Sequence, residues 1–208
     1  MPAPEVILNG LAVIANEWRW LAIAWHAAVV AILIYALSRR PLQRTLAMLL
    51  TLPLVSVSAL AWWSGNPFNG IAFLSLALVM GLAATRMDQR AITVGRRSRV
   101  AIGILLLGFG FVYPHFLQTH SWTSYLYASP LGLIPCPTLA AVAGISLIFN
   151  TFGSRLWAAG LTVALLAYGV IGMVALGVWM DAMLIVGAVT LLRPQFDRRP
   201  WRINSARV

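Results

Sequence analysis

The sequence contains no lysine, only five acidic residues and a single cysteine, so its net charge of +10 comes entirely from 15 arginines. Without a lysine amine the chain cannot form a retinal Schiff base, which excludes a working rhodopsin. One cysteine cannot form an internal disulfide, and no Cys-x-x-Cys-His sequence is present for covalent haem attachment. No nucleophile–base set and no His-Glu-x-x-His sequence is visible either, which argues against an enzyme.

Charged residues make up only 10% of the chain, whereas 61% of its residues are hydrophobic. Several apolar runs are long enough to cross a bilayer, which predicts an all-α, polytopic membrane helix bundle. The arginines fall between these runs, so they indicate topology rather than a nucleic-acid surface. We therefore expect the lipid bilayer as partner, together with a protein partner or a second copy of the chain, and no nucleic acid.

The chain divides into three parts. Residues 1–17 are expected to form a helix lying in the membrane interface, because Glu5, Asn9 and Asn16 share one helical face. Residues 18–192 are expected to form the transmembrane domain, and residues 193–208 a basic cytoplasmic tail. The first five spans are expected at 18–38, 45–63, 68–85, 100–117 and 133–151.

The last apolar run, residues 156–192, is too long for one span. A helix of its 37 residues would be roughly 55 Å long, nearly twice the thickness of the hydrocarbon layer. It must therefore fold back, with a turn near either 177–181 or 169–172, and one of its two helices must be short. The sequence thus predicts about seven transmembrane helices with a short, re-entrant-like final hairpin.

The arginines support an odd number of spans. With the N terminus outside and seven spans, 14 of the 15 arginines lie inside and only Arg19 lies outside. With six spans, the five arginines of the tail would lie on the opposite side from the rest.

Polar side chains that are rare in membranes gather in the outer half of this topology. His26, His115, His120 and Cys136 are candidate ligands for a metal ion or haem iron, since imidazole and thiolate suit both. Their spacing matches no dense metal motif, so the alternative is that the histidines bond loop backbone and the cysteine packs as a small hydrophobe.

Asp181 is the acidic residue whose position is most costly. A carboxylate within a bilayer costs about 2.5–3.5 kcal/mol, so we expect a partner for it, with Arg19 and the histidines as candidates. The functional alternative is that Asp181 forms a pair or a proton relay with His26 or His115. The simpler one is that Asp181 caps the last turn and faces water.

Pro135 and Pro137 flank Cys136. Two prolines remove two backbone donors and disfavour helical geometry between them, which predicts a helix broken at this point. The freed backbone, Cys136 and Thr138 would then line a polar pocket. With Tyr113 and Asp181 they are the candidate ligand-binding residues, and the alternative for Tyr113 is an aromatic belt with Trp122, Tyr125 and Tyr127. The alternative is an entry loop whose prolines set the angle of the fifth helix.

One stretch resembles a known family. Residues 132–138, Gly-Leu-Ile-Pro-Cys-Pro-Thr, follow Tyr113-Pro114 at a helix end and precede Trp179-Met180-Asp181-Ala182 in the final hairpin. This pattern resembles a bacterial family of multi-span inner-membrane proteins of uncharacterised function. The resemblance implies a bacterial inner membrane, and the arginines then predict a periplasmic N terminus and a cytoplasmic C terminus.

Two functions remain open on the sequence alone. The first is an accessory membrane component that binds a small ligand, a metal ion or haem in its outer half. The alternative is a small transporter or channel, completed by oligomerisation, that uses the broken fifth helix as its substrate site.

Overall fold

The computed structural model describes residues 4–192, and regular structure in this range is helical apart from one isolated β-bridge between Leu42 and Ala91. The predicted all-α class is therefore confirmed. Residues 1–3 and the predicted cytoplasmic tail, 193–208, lie outside the described residues. In chain order the helices are α1 (Pro4–Glu17), α2 (Arg19–Arg39), α3 (Gln43–Trp63), α4 (Pro67–Thr85), α5 (Arg97–Val112), α6 (Tyr125–Ala128), α7 (Pro135–Ile148), α8 (Arg155–Val170) and α9 (Ala182–Leu192).

Four of these helices are long and apolar enough to cross a membrane. They are α2, α3, α4, and α8 together with the helical turn that continues it to Ala175. Their bounds agree closely with the spans expected from the sequence. The predicted fourth and fifth spans are shorter than expected, because α5 ends before Tyr113-Pro114 and α7 begins only at Pro135. Because proline has no backbone N–H, Pro114 cannot donate the hydrogen bond that would continue α5.

Helix α7 forms the centre of the bundle. Every residue from Pro135 to Ile148 is buried except Cys136, which is half-buried. Helix α5 packs on it closely because glycines line the contact. A Cβ atom built on Gly103 would lie 2.7 Å from the Gly144 carbonyl oxygen, and one on Gly110 would lie 2.5 Å from the Pro137 carbonyl oxygen. Small residues thus let the two helices approach closely at these two positions.

Gly108 of the same helix makes no such contact. A Cβ atom added there would meet nothing within 4 Å, because this side of α5 faces away from α7. Gly108 is therefore a matched site for testing what the buried glycines do.

The broken helix predicted at Pro135–Pro137 is also wrong. Helix α7 is continuous from Pro135, and Cys136 belongs to it. Both prolines lie in the first turn, where the backbone N–H groups have no intrahelical acceptor and proline costs little. The alternative of an entry segment that ends in the prolines fits the structure.

The last apolar run folds back at the first of the two expected places. Helix α8 continues as a π-helical turn, Ile171–Ala175, and the chain reverses at Gly177, whose φ of 68° favours glycine. A 3₁₀ turn, Trp179–Asp181, then leads into the short helix α9. Asp181 thereby lies beside the end of α8.

Three connections meet at one end of the bundle. The Gln43 N–H donates to the Arg90 carbonyl at 2.9 Å, and the Gly95 N–H donates to the Ile148 carbonyl at 2.8 Å. The connections α2–α3, α4–α5 and α7–α8 therefore lie side by side. We call this end the basic end, residues 39–44, 86–99 and 149–155. It contains nine arginines: Arg39, Arg40, Arg44, Arg86, Arg90, Arg96, Arg97, Arg99 and Arg155.

The remaining described arginine, Arg19, lies at the opposite end. Its guanidinium donates to the Ser124 hydroxyl at 2.9 Å. Nearby, the Asn16 side chain donates to the Phe116 carbonyl and accepts from the Gln118 N–H, both at 2.9 Å. These bonds tie α1 and the start of α2 to the segment 113–134.

Candidate functional site

The side chains of Tyr113 and Cys136 meet at the carboxylate of Asp181. We call these three residues the carboxyl cluster. The Tyr113 hydroxyl donates to Asp181 Oδ1 at 2.9 Å, and the Cys136 thiol donates to Asp181 Oδ2 at 3.1 Å. The three residues come from the end of α5, the first turn of α7 and the turn before α9. Asp181 is 1% exposed, so these two bonds take the place of water.

The turn that holds Asp181 packs directly against the end of α8. A Cβ atom on Gly172 would overlap the Asp181 carboxylate, so only glycine leaves room for the acid here. The Val178 N–H donates to the Gly172 carbonyl at 2.8 Å, which fixes the turn on the same residue. The position of the acid therefore depends on Gly172.

Tyr113 is held by aromatic neighbours. It is fully buried, with the Phe109 ring edge-on at 5.3 Å and the Phe116 ring stacked at 6.3 Å between centroids. Such contacts restrict the phenol ring. The hydroxyl is thus aimed at Asp181 by packing as well as by its hydrogen bond.

No cation of the described residues forms an ion pair with the Asp181 carboxylate. Among residues 4–192, no arginine or histidine lies within ion-pair distance of it, and His115 interacts with it only at longer range. Arg19, one of the expected partners, donates to Ser124 instead. Both donors to the carboxylate are neutral groups.

His26 does not form the expected pair with Asp181. Its Nδ1 is 2.8 Å from the Ala22 carbonyl oxygen and its Nε2 is 3.1 Å from the Phe111 carbonyl oxygen. Both ring nitrogens are occupied by backbone, and the residue is buried. A proton relay through His26 therefore has no support in this geometry.

The four residues expected as metal ligands are not gathered. His115 is half-buried with its ring edge-on to Phe116, and His120 is exposed. His26 is bound to backbone, and Cys136 donates to Asp181. In the described part of the chain, no group of three or more His, Cys, Asp or Glu side chains is placed to hold a metal ion. The structure therefore identifies none of the four as a metal ligand.

Thr138 supports the site without reaching it. Its hydroxyl accepts from the Gly132 N–H at 2.9 Å and donates to the Ile134 carbonyl at 2.7 Å. Gly132 has a φ of 74°, and the Trp25 ring lies against its Cα, so no side chain fits there. Thr138 thus fixes the loop that leads into Pro135 and Cys136, which is a positioning role rather than the expected ligand contact.

A second buried polar contact was not expected from the sequence. The Tyr168 hydroxyl of α8 donates to Asn69 Oδ1 of α4 at 2.9 Å, and Asn69 is 6% exposed. The signal for it was a lone asparagine in the apolar run that follows Pro67. This bond joins α4 to α8, one turn before Gly172 on the α8 side.

The arrangement has a definite chemical capacity. A carboxylate buried among apolar helices costs several kcal/mol unless a positive charge compensates it. The phenol and thiol stabilise the anion only as neutral donors. The carboxyl cluster can therefore take up a proton or another small cation, which removes the uncompensated charge.

Comparisons with protein-family models, with curated proteins and with solved structures find no match to this chain.

Proposed function

We propose that this chain is an integral protein of the bacterial inner membrane that crosses the bilayer seven times. In this proposal α2, α3, α4, α5, α7, α8 and α9 are the spans, the N terminus is periplasmic and the C terminus is cytoplasmic. Four helices of spanning length and composition support it. The gathering of nine arginines at one end supports the orientation, because arginine is enriched on the cytoplasmic side.

Cysteine labelling tests this topology. A Cys136→Ser chain is free of cysteine, so Ser64→Cys and Thr93→Cys can each be added to it as single reporters on exposed loops. We expect a membrane-impermeant maleimide to label residue 64 in cells with a permeabilised outer membrane, and residue 93 only after the inner membrane is disrupted. The reverse pattern would overturn the orientation. Equal labelling of both before disruption would contradict the spanning arrangement.

Within this topology the protein acts as an accessory membrane component whose carboxyl cluster binds a small positively charged ligand. The observation that carries this proposal is the 1% exposed Asp181 carboxylate, which two neutral donors bond and which has no ion-pair partner among residues 4–192. The ligand is a proton or a small metal ion, since the close packing against Gly172 favours an ion over haem. The absence of a catalytic constellation in the sequence favours an accessory role.

The ligand is tested on protein purified in mild detergent without a metal-affinity tag. Elemental analysis and an infrared spectrum are recorded for the wild type, for Asp181→Asn, and for Asp88→Asn as a control at an exposed carboxylate. We expect either a stoichiometric metal or the C=O stretch of a protonated carboxylic acid, and we expect Asp181→Asn alone to lose it. A metal-free wild type with only ionised carboxylates would refute the site.

The accessory role has its own test, because it needs a second protein. Crosslinking in native membranes followed by purification is expected to recover a defined partner in stoichiometric amount. Recovery of the chain only by itself would contradict the accessory role and leave the ion site standing.

A further inference from the structure

The basic end contains far more positive than negative charge. Its nine arginines face a single acid, Asp88, in the described part of the chain. Asp88 lies 3.5 Å from Arg90, and both side chains are largely exposed, so this pair removes little of the excess. The remaining charge repels itself unless something negative covers it.

Hydrogen bonds hold these arginines on one continuous surface. Besides the Gln43–Arg90 bond, the Ile92 N–H donates to the Pro41 carbonyl at 3.0 Å. The Arg99 guanidinium donates to Asn150 Oδ1 at 3.3 Å, which ties the start of α5 to the α7–α8 connection. The charges therefore converge from three connections rather than lying on independent loops.

Apolar side chains are exposed among these arginines. Leu42, Val94 and Leu156 are 40%, 64% and 41% exposed, one in each of the three segments or directly after it. A surface that offers guanidinium groups beside apolar side chains matches a membrane interface, where phosphates and acyl chains adjoin. A surface for single-stranded nucleic acid would instead be expected to offer exposed aromatic rings for stacking. Within residues 4–192, the exposed tryptophans belong to the opposite end: Trp20, Trp62, Trp63, Trp122 and Trp179.

We infer that the basic end binds the head groups of anionic phospholipids in the leaflet that it faces. The arginine fork pairs with two phosphate oxygens at once, which a lysine ammonium does not do. The use of arginine alone for positive charge suits this partner. The inference rests on the basic end and is independent of the carboxyl cluster.

The test uses the full chain, stripped of lipid in a neutral detergent and titrated with phosphatidylglycerol or phosphatidylcholine. Bound lipid is counted by native mass spectrometry, and affinity is followed by the lipid-induced rise in melting temperature. The charge-removing variant is Arg40→Gln/Arg97→Gln/Arg155→Gln, whose three side chains are exposed. Its counterpart, with lysine at the same three positions, keeps the positive charge but lacks the paired donors of the guanidinium group.

We expect phosphatidylglycerol to bind the wild type more tightly than phosphatidylcholine, and less tightly as salt rises. Each arginine near a lipid surface contributes about fivefold in affinity, so the triple glutamine variant should lose roughly a hundredfold. The lysine variant should lose less. Arg19→Gln, at the opposite end, and Asp181→Asn should bind phosphatidylglycerol like the wild type.

Equal binding of the two lipids, or full retention by the triple glutamine variant, would overturn the inference. Displacement of bound phosphatidylglycerol by a short DNA or RNA duplex at the same salt would also overturn it and would identify a nucleic-acid surface. An unchanged melting temperature of each variant without lipid shows that the loss does not come from misfolding. Because Asp181→Asn is included, failure of the ion site is distinguished from failure of the lipid surface.

Discussion

Replacing Gly110 by alanine tests the closest contact between α5 and α7. The new Cβ atom would lie 2.5 Å from the Pro137 carbonyl oxygen and 3.0 Å from the Ala141 nitrogen. Both are backbone atoms of the buried central helix, so neither can rotate away. Gly108, two residues earlier in the same helix, has nothing within 4 Å of its Cβ position. The pair therefore separates the effect of the contact from the effect of alanine itself.

The magnitude follows from two opposing contributions. Alanine favours the helix over glycine by up to about 1 kcal/mol at both positions. Overpacking a close contact costs about 1–3 kcal/mol, and it does so only at Gly110. We therefore expect Gly108→Ala to raise the free energy of unfolding by up to about 1 kcal/mol, and Gly110→Ala to lower it by up to about 2 kcal/mol.

The assay is unfolding in mixed detergent and dodecyl sulfate micelles, followed by far-ultraviolet circular dichroism. The quantity compared is the free energy of unfolding of each variant relative to the wild type, measured under one set of conditions. If Gly110→Ala is as stable as Gly108→Ala, then α5 and α7 do not approach each other through Gly110.

Three further changes test the carboxyl cluster and its supports. Tyr113→Phe leaves Asp181 Oδ1 without its donor and should lower the free energy of unfolding by about 1–3 kcal/mol. Tyr127→Phe, at a half-exposed ring, should change this free energy little, and equal values for the two variants would contradict the bond. Gly172→Ala should displace the Asp181 carboxylate and abolish its ion or proton signal, whereas Gly81→Ala, with open space around its Cβ position, should retain that signal. Retention of the signal in both variants would refute the packing of Asp181 against Gly172. Thr138→Val removes an acceptor from the buried Gly132 N–H and should cost about 1–3 kcal/mol in the same unfolding assay, and an unchanged value would exclude the positioning role.

The helices were predictable because their signals are local. An apolar run of spanning length, closed by arginine, proline or glycine, indicates a helix and its ends without reference to the rest of the chain. The same logic gave the fold-back of the last run, since length alone forces it. The sequence prediction overextended α5 past Tyr113-Pro114, because proline also occurs inside membrane helices and its effect depends on what lies beside it.

The error at Pro135–Pro137 has the same origin. Proline is costly within a helix and favourable in its first turn, and only the position of the helix start decides between the two. The sequence has no polar N-cap before Pro135, since the preceding residue is Ile134. The signal that would have marked the start was therefore missing.

The partners of Asp181 could not be predicted from spacing. Tyr113 is 68 residues away and Cys136 is 45 residues away, so their meeting depends on how three helices pack. The sequence did identify Cys136 and Asp181 as unusual, because each carries a polar group in an apolar stretch, and Tyr113 was among the candidate ligand-binding residues. Burying such groups without hydrogen bonds costs free energy, so they bond either to one another or to the backbone. His26 instead bonds to the backbone carbonyl groups of Ala22 and Phe111, so it is not part of the site.

The glycine contact and the carboxyl cluster form one unit. Tyr113 follows the last turn of α5 that contains Gly110, and Cys136 precedes Pro137, whose carbonyl lies against Gly110. The distance between α5 and α7 at this level therefore sets whether the phenol and the thiol reach the same carboxylate. A change at Gly110 that separates the helices should weaken both hydrogen bonds to Asp181, although it touches neither donor. Stability at this contact and occupancy of the carboxyl cluster should accordingly fall together.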